Sequence, residues 1–269
     1  MSLARPRWAS RGRCCRTRHP FRVGAAFHCA CHAGDEENTH DCDRRFGRPG
    51  HWSIGKAFVE ELLARGAEKV YATARKPSPS HDERVEVLAL DVTDDNSVAT
   101  LAERTQDVNA VFNNAGVLYP APLLQSDMQQ IKDTFDTNVF GPLRIARAFA
   151  PVLASHGGGV LVDMHSMLSW GAGAGAYGAS KAALWSLTNS LRIELAAQHT
   201  QVVGVHLGFA DTDMVAALPV EKISAAGVAR IVMDGVERGD SEVLVDDITR
   251  KIKSAVAGPV EGLTVPFGR

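Results

Sequence analysis

Apolar residues recur along this chain with two different periods. From Ser53 to Gly66, Ile54, Phe58 and Leu62 fall at i, i+4 and i+8, with Val59 and Leu63 beside them. That spacing predicts an amphipathic helix, and Gly66 ends it. Beyond it, short β-branched or alternating runs predict strands: KVYATAR (69–75), RVEVLALDV (84–92), AVFNNAG (110–116), GVLVDMHS (159–166), QVVGVHLG (201–208) and SEVLVD (241–246). Helical patterns lie between them at 95–105, 128–156, 177–198 and 225–239. Apolar strands separated by helices of this length predict an α/β fold, a doubly wound parallel sheet in three layers with helices on both faces.

In such sheets ligands collect beyond the carboxyl ends of the strands. Those ends carry Arg75, Asp91, Asn113-Asn114-Ala115-Gly116, Ser166 and Gly208–Thr212. Tyr177 and Lys181 stand four apart at the start of a helix and project from one face. A free phenol has a pKa near ~10, too high to exchange protons well at neutral pH. A neighbouring ammonium and a helix amino terminus would both lower it. Ser166 closes a strand shortly before that helix, so its hydroxyl can reach the same space. A tyrosine acid/base, a lysine that tunes it and a serine that holds an oxygen form a coherent proton-transfer set. Tyr-x-x-x-Lys alone is equally an ordinary helix-surface pair.

Taken together, NNAG (113–116), Asn138 in NVFG, Asp91 in LDVTD and YGASKAAL (177–184) resemble the short-chain dehydrogenase/reductase family, in its order and spacing, from about Ser53 to about Asp246. The resemblance implies a Rossmann-like fold and assigns roles position by position. Tyr177 is then the catalytic acid/base, and Lys181 its partner and a ligand of the nicotinamide ribose. Ser166 binds the substrate oxygen, and Asn138 keeps a water in the proton relay. Asp91 and Val92 lie at the adenine, Asn114, Ala115 and Gly116 line the adenosine ribose, and Thr212 meets the nicotinamide carboxamide or a phosphate. The bland roles stay open beside these: Asn138 as a helix-bending polar residue, Asp91 and Thr212 as caps, and Asn113 or Asn114 as a sheet stabiliser. The stretch from Ser166 to Tyr177 is about two residues shorter than the family's, which makes Ser169 a rival for the serine role. Leu207-Gly208 stands where the family has Pro-Gly, so a looser turn is expected there.

The start of the predicted helix is the largest departure. The family's fingerprint is Thr-Gly, three residues, then Gly-Ile-Gly behind an apolar strand, with glycines letting backbone approach a pyrophosphate. Here Ser53, Ile54 and Gly55 supply the end of that motif, and Arg48-Pro49 stands at its beginning. The first strand and glycine-rich loop are therefore expected to be atypical or missing. Residues 1–52 hold ten arginines, no lysine and five acids, a balance of +5 that leaves −7 for the rest of a chain of net charge −2. They also hold all five cysteines. His28, Cys29, Cys31, His32, His40 and Cys42 match no common zinc spacing, so no metal is expected. An arginine-rich presequence and a natural extension compete as readings. The favoured one is a disordered segment or text translated out of frame. The expected organisation is this segment at 1–52, one domain at 53–250 and a tail at 251–269.

The cofactor can be argued from charge. An acid at the end of the second strand would bind the 2′- and 3′-hydroxyls of NAD, whereas Arg75 and Lys76 stand there and suit a 2′-phosphate. NADP(H) is preferred, with NAD(H) still possible. The expected function is carbonyl/alcohol interconversion on a small, mostly apolar substrate. The alternative is a non-catalytic nucleotide-binding sensor or scaffold of the same fold. A near-neutral chain of 45% hydrophobic and 22% charged residues argues against nucleic-acid or membrane-surface partners. A cytoplasmic location is expected, and the family resemblance implies a homodimer or homotetramer.

Overall fold

The computed structural model of the 269-residue chain describes the backbone of residues 22–26 and all of residues 54–119 and 121–265. Its centre is a seven-stranded, all-parallel sheet in the order β3-β2-β1-β4-β5-β6-β7. The strands are β1 (Arg22–Ala26), β2 (Lys69–Ala74), β3 (Val85–Ala89), β4 (Ala110–Asn113), β5 (Val160–Met164), β6 (Gln201–His206) and β7 (Glu242–Leu244). The helices are α1 (Ile54–Ala64), α2 (Asp95–Arg104), α3 (Met128–Phe135), α4 (Gly141–Ser155), α5 (Gly175–Glu194), α6 (Ala225–Arg238) and α7 (Asp247–Ala255). Strand order turns back between β1 and β4, which places a crevice at the carboxyl edge there.

The two faces follow from the two-residue period of the strands. Phe112, Val160, Val162, Val203 and Val205 point to one face and pack with Phe58 and Leu62 of α1 and Val228, Val232 and Val236 of α6. Val111, Leu161 and Val202 point to the other, against Leu101 of α2, Ile145, Phe149 and Leu153 of α4, and Leu195. Arg65, just after α1, ties the first layer together through Glu61 (2.7 Å), Asp234 (2.7 Å) and Glu237 (2.9 Å). Polar caps set helix ends. Ser224 Oγ accepts the Gly227 N–H before α6, which Gly239 closes at φ 80°.

The first strand is atypical, as expected: it is Arg22–Ala26, pairing β2 on one side and β4 on the other. It lies far ahead of the place directly before α1. The single helix expected at 128–156 is broken, with a π turn over Asp136–Phe140 between α3 and α4. Pro142 has no N–H to give the Asn138 carbonyl in the α-helical pattern, and the Gly141 N–H bonds back to Asp136 O. The expected tail begins inside α7, whose cap Asp246 accepts the Thr249 N–H. Val265 then bridges to Ala172 and is buried beside Met167 and Leu168.

Candidate active site

The carboxyl edge from β4 to β6 gathers most of the polar residues expected there. Ser166 follows β5 and caps a 3₁₀ turn, Met167–Ser169; its Oγ accepts the Leu168 N–H at 3.2 Å. Its hydroxyl lies close enough to the Tyr177 phenol to favour the phenolate, against burial. Tyr177 is partly buried in the first turn of α5, packed on the Met167–Leu168 turn. One turn on, Lys181 is buried and its Nζ donates to Met164 O at 2.7 Å. Asn138, in the π turn, is clamped on three sides. Its Oδ1 accepts the Val117 N–H (2.8 Å), and its Nδ2 donates to Val117 O (3.0 Å) and Ser180 Oγ (3.0 Å). Ser180 Oγ in turn donates to Tyr177 O at 2.7 Å. Gly116 fits against this group: a Cβ there would stand 3.4 Å from Asn138 Oδ1 and 3.7 Å from Lys181 Nζ.

The electrostatics differ from the expectation. Burial pushes Tyr177 up to about 12, with the Ser166 hydroxyl pulling the other way. Burial also brings Lys181 down to about 8, partly offset by Asp163. Lys181 does not depress the phenol here, because its ammonium is directed at the Met164 carbonyl and Nζ lies 5.6 Å from the Tyr177 ring centre. Tyr177 is thus held neutral.

The other expected residues spread along the same edge. Arg75 and Lys76 are exposed after β2; burial and Asp133 raise the Tyr119 phenol, with Arg75 pulling the other way. Asp91 Oδ1 accepts the N–H (2.9 Å) and Oγ1–H (2.7 Å) of Thr93, a turn-closing role. Val92 is buried under Gly141. Asn114 is partly buried and Ala115 and Gly116 are buried directly after β4. Asn113 does stabilise the sheet: its Nδ2 donates to Asp163 Oδ1 at 2.8 Å. Thr212 precedes the 3₁₀ turn Asp213–Val215 without a side-chain capping bond; its Oγ1 donates to Ala210 O at 3.4 Å. Ile54 and the buried Gly55 open α1, whereas Ser53 lies outside the described residues. Ser169 is buried and its hydroxyl has no hydrogen-bond partner among the described residues. The turn expected to be loose is pinned, since the Gly208 N–H donates to Asp246 Oδ2 at 2.7 Å. No group able to hold a metal is found among the described residues, and none of their helices is long and apolar enough to cross a membrane.

Sequence reasoning missed what lies beneath Ser166. Asp163, His165, Thr188 and His206 are buried and joined by hydrogen bonds. The sequence carried only a partial signal: one Asp and two His stand inside runs read as buried strands, where polar groups need partners, but strand pairing decides which partners they find.

Residues 50–222 match the model of the short chain dehydrogenase family, well over half of the chain. The chain is 34% identical over 173 residues to a short-chain dehydrogenase of Penicillium crustosum (59% of this chain, 62% of that protein). It is 32% identical over 169 residues to the NADPH-dependent 1-acyldihydroxyacetone phosphate reductase of Schizosaccharomyces pombe (59% of this chain, 56% of that protein). It spans about three fifths of the length of the curated relatives it matches. Among solved structures, a short chain dehydrogenase from Burkholderia cenocepacia in complex with NADP superposes with a TM-score of 0.77 at 29% identity, covering 91% of this chain and 96% of that one. With the sheet, the crevice and these matches together, the chain belongs to the short-chain dehydrogenase/reductase family.

Proposed function

We propose that this protein is an oxidoreductase that interconverts a carbonyl and an alcohol on a small, mostly apolar substrate, with NADP(H) as its preferred cofactor. The observation that carries this reading is the meeting of Tyr177, Ser166, Lys181 and Asn138 at the carboxyl edge of one parallel sheet. In the reducing direction Ser166 Oγ donates a hydrogen bond to the carbonyl oxygen, and Tyr177 gives it the proton. Burial keeps the Tyr177 proton in place before the reaction but makes the phenol a weaker acid, so its release draws on the Ser166 hydroxyl, which favours the phenolate. Lys181, brought down to about 8, can pass a proton on near neutral pH, and Asn138 holds the Val117 and Ser180 side of the relay.

The residues present fit a dinucleotide. Gly55, without a Cβ, opens a helix amino terminus, Gly116 leaves room beside Lys181, and the exposed Arg75 and Lys76 after β2 would suit a 2′-phosphate. When bound, the nicotinamide supplies or accepts the hydride. Ile54, Gly55, Arg75, Asp91, Val92, Asn114, Ala115, Gly116, Lys181 and Thr212 are the residues of this chain that would hold it. The Burkholderia cenocepacia structure contains NADP and the fission-yeast relative is NADPH-dependent, and both support the preference.

The test is NADPH oxidation with a panel of aldehydes and ketones, run beside Tyr177→Phe. Turnover abolished by that substitution is expected; turnover that survives it sinks the mechanism. A second reading, a nucleotide-binding sensor, has the Lys181–Met164 bond in its favour, since that bond leaves the phenol unassisted. NADPH binding without turnover of any substrate would select it.

A further inference from the structure

Ser166 is held from below as well as beside Tyr177. Its carbonyl oxygen accepts two hydrogen bonds, from the Ser169 N–H (2.9 Å) and from His206 Nδ1 (3.2 Å). His206 is fully buried in β6, with Trp170 stacked on its ring at 4.0 Å. Its Nε2 lies 3.0 Å from His165 Nδ1, and His165 Nε2 lies 2.9 Å from Thr188 Oγ1. Thr188 Oγ1 lies 2.7 Å from Asp163 Oδ2, and Asp163 Oδ1 accepts from Asn113 Nδ2. Gly204 makes the arrangement possible, because a Cβ there would stand 2.8 Å from His165 Cε1.

The proton count along this chain is constrained. A carbonyl oxygen can only accept, so His206 Nδ1 must carry a proton; the other tautomer would set a lone pair against that oxygen. In a neutral His206, Nε2 then accepts, so His165 Nδ1 must donate. In a neutral His165, Nε2 accepts in turn and takes the single hydroxyl proton of Thr188, for which Leu184 O at 2.9 Å and Asp163 Oδ2 at 2.7 Å also compete. The Asp163–Thr188 bond is then made only if Asp163 supplies its own proton. Placing that proton on His165 instead would also close every bond. Burial disfavours it, holding both imidazoles below their ordinary range and Asp163 above its own. The charged groups around the chain are Lys181 and Arg192 beside Asp163 and His165, and the Glu242–Lys253 pair beside His206, with Glu242 Oε1 3.5 Å from Nε2.

We propose that His206 is a positioning residue for Ser166, holding its carbonyl through Nδ1–H while its own Nε2 accepts from His165 Nδ1. The proposal rests on Ser166 acting in the reaction, but its first test does not need turnover. Long-range ¹⁵N–¹H spectra of the full chain read the imidazole tautomers directly. Both His165 and His206 are expected to carry one proton, on Nδ1. A proton on His206 Nε2, or a doubly protonated ring at neutral pH, would overturn the proposal.

The kinetic test uses the aldehyde or ketone that NADPH reduces fastest. His206→Asn keeps a donor near Nδ1, whereas His206→Gln moves it toward Nε2. His206→Asn is expected to keep kcat within about threefold of the wild type and His206→Gln to lose about tenfold or more, with the KM for NADPH unchanged in both. Equal losses in the two variants, or losses that track Tm, would overturn it. If neither variant folds, the wild-type tautomers still decide.

Discussion

The two halves of the sheet edge hold their polar residues in opposite ways. After β2 and β3, Arg75 and Lys76 are exposed, and Asp91 closes its own turn with Thr93. At the ends of β5 and β6, His165, His206 and Ser166 are buried and hydrogen-bonded in series, Asp163 joins them through Thr188, and the buried Lys181 donates to Met164 O. A charge that only has to meet a ligand phosphate can sit in water, at little cost in stability. A group that must hold or pass a proton at a set position has to be enclosed, and each enclosed polar atom then needs a partner. On the function proposed above, the first half would carry recognition through surface charge and the second would carry reactivity through enclosed, partnered groups. Substitutions should therefore have large effects in the second half and modest ones in the first.

The largest expected effect is on turnover. General acid catalysis contributes about 10²–10⁴-fold, so Tyr177→Phe should lower kcat by that order while NADPH still binds. Fluorescence titration of NADPH beside steady-state rates separates the two. Weakened NADPH binding with kcat unchanged would move Tyr177 from the reaction to recognition, and the contrast between the halves would fail.

Stability comes next. Asp163→Ala should cost about 2–4 kcal/mol, because it strips Asn113 and Thr188 of a buried partner and leaves a small void. Asp163→Asn should cost less than about 1 kcal/mol, since a carboxamide can donate to Thr188 and accept from Asn113 as a neutral acid does. Urea midpoints compare the two. Equal losses would mean that Asp163 is ionised in the fold.

What was legible in the sequence divides along the same line. The six strands beyond residue 66 were readable because their apolar runs answer to burial alone, and Tyr177, Lys181, Ser166 and Asn138 because their order and spacing are a motif. The break at Asp136–Phe140 was not read, although Pro142 announces it, because the apolar period runs on through the turn. β1 was not expected at Arg22–Ala26 because RVGAA is short and far from the helix it precedes. The buried chain was not read because a lone His in an apolar strand has no meaning until the strand beside it brings a second one. β5 and β6 pair, and that register puts His165 and His206 in contact. Tyr177 illustrates a further limit. Spacing placed it one turn from a lysine, but only the packing shows that burial acts more strongly on its proton than that lysine does.

The pH dependence of stability should carry the mark of that register. Burial lowers the folded pKa of both histidines, His206 to about 3, so unfolding below the ordinary imidazole value of ~6.5 takes up protons. Their contribution is complete above pH ~6.5 and is lost as the pH falls from there toward about 3, at about 1.4 kcal/mol per pH unit for each histidine. Asp163 has the opposite sign: its folded pKa is raised, so its contribution is present in acid and is lost as the pH rises above ~3.9. Urea midpoints at pH 7.5, 6 and 5 should fall less steeply for His206→Asn than for the wild type. Identical slopes would mean that His206 is already charged in the folded protein.

The smallest effect belongs to the exposed half. Arg75→Ala removes a cation that is in water and screened over about 8–10 Å at ordinary salt. A hydrogen bond from such a group to a phosphate is still charge-assisted, and one of moderate strength corresponds to about tenfold in affinity. The Kd for NADPH should therefore rise by about tenfold and that for NADH should not change, with kcat at saturation held. Raising the salt from about 0.05 to about 0.5 M should narrow the preference for NADPH more in the wild type than in the variant, which keeps only Lys76 for salt to screen. An equal weakening of both cofactors would place Arg75 at a part that NADPH and NADH share, and the argument for NADP(H) from charge would then rest on Lys76 alone.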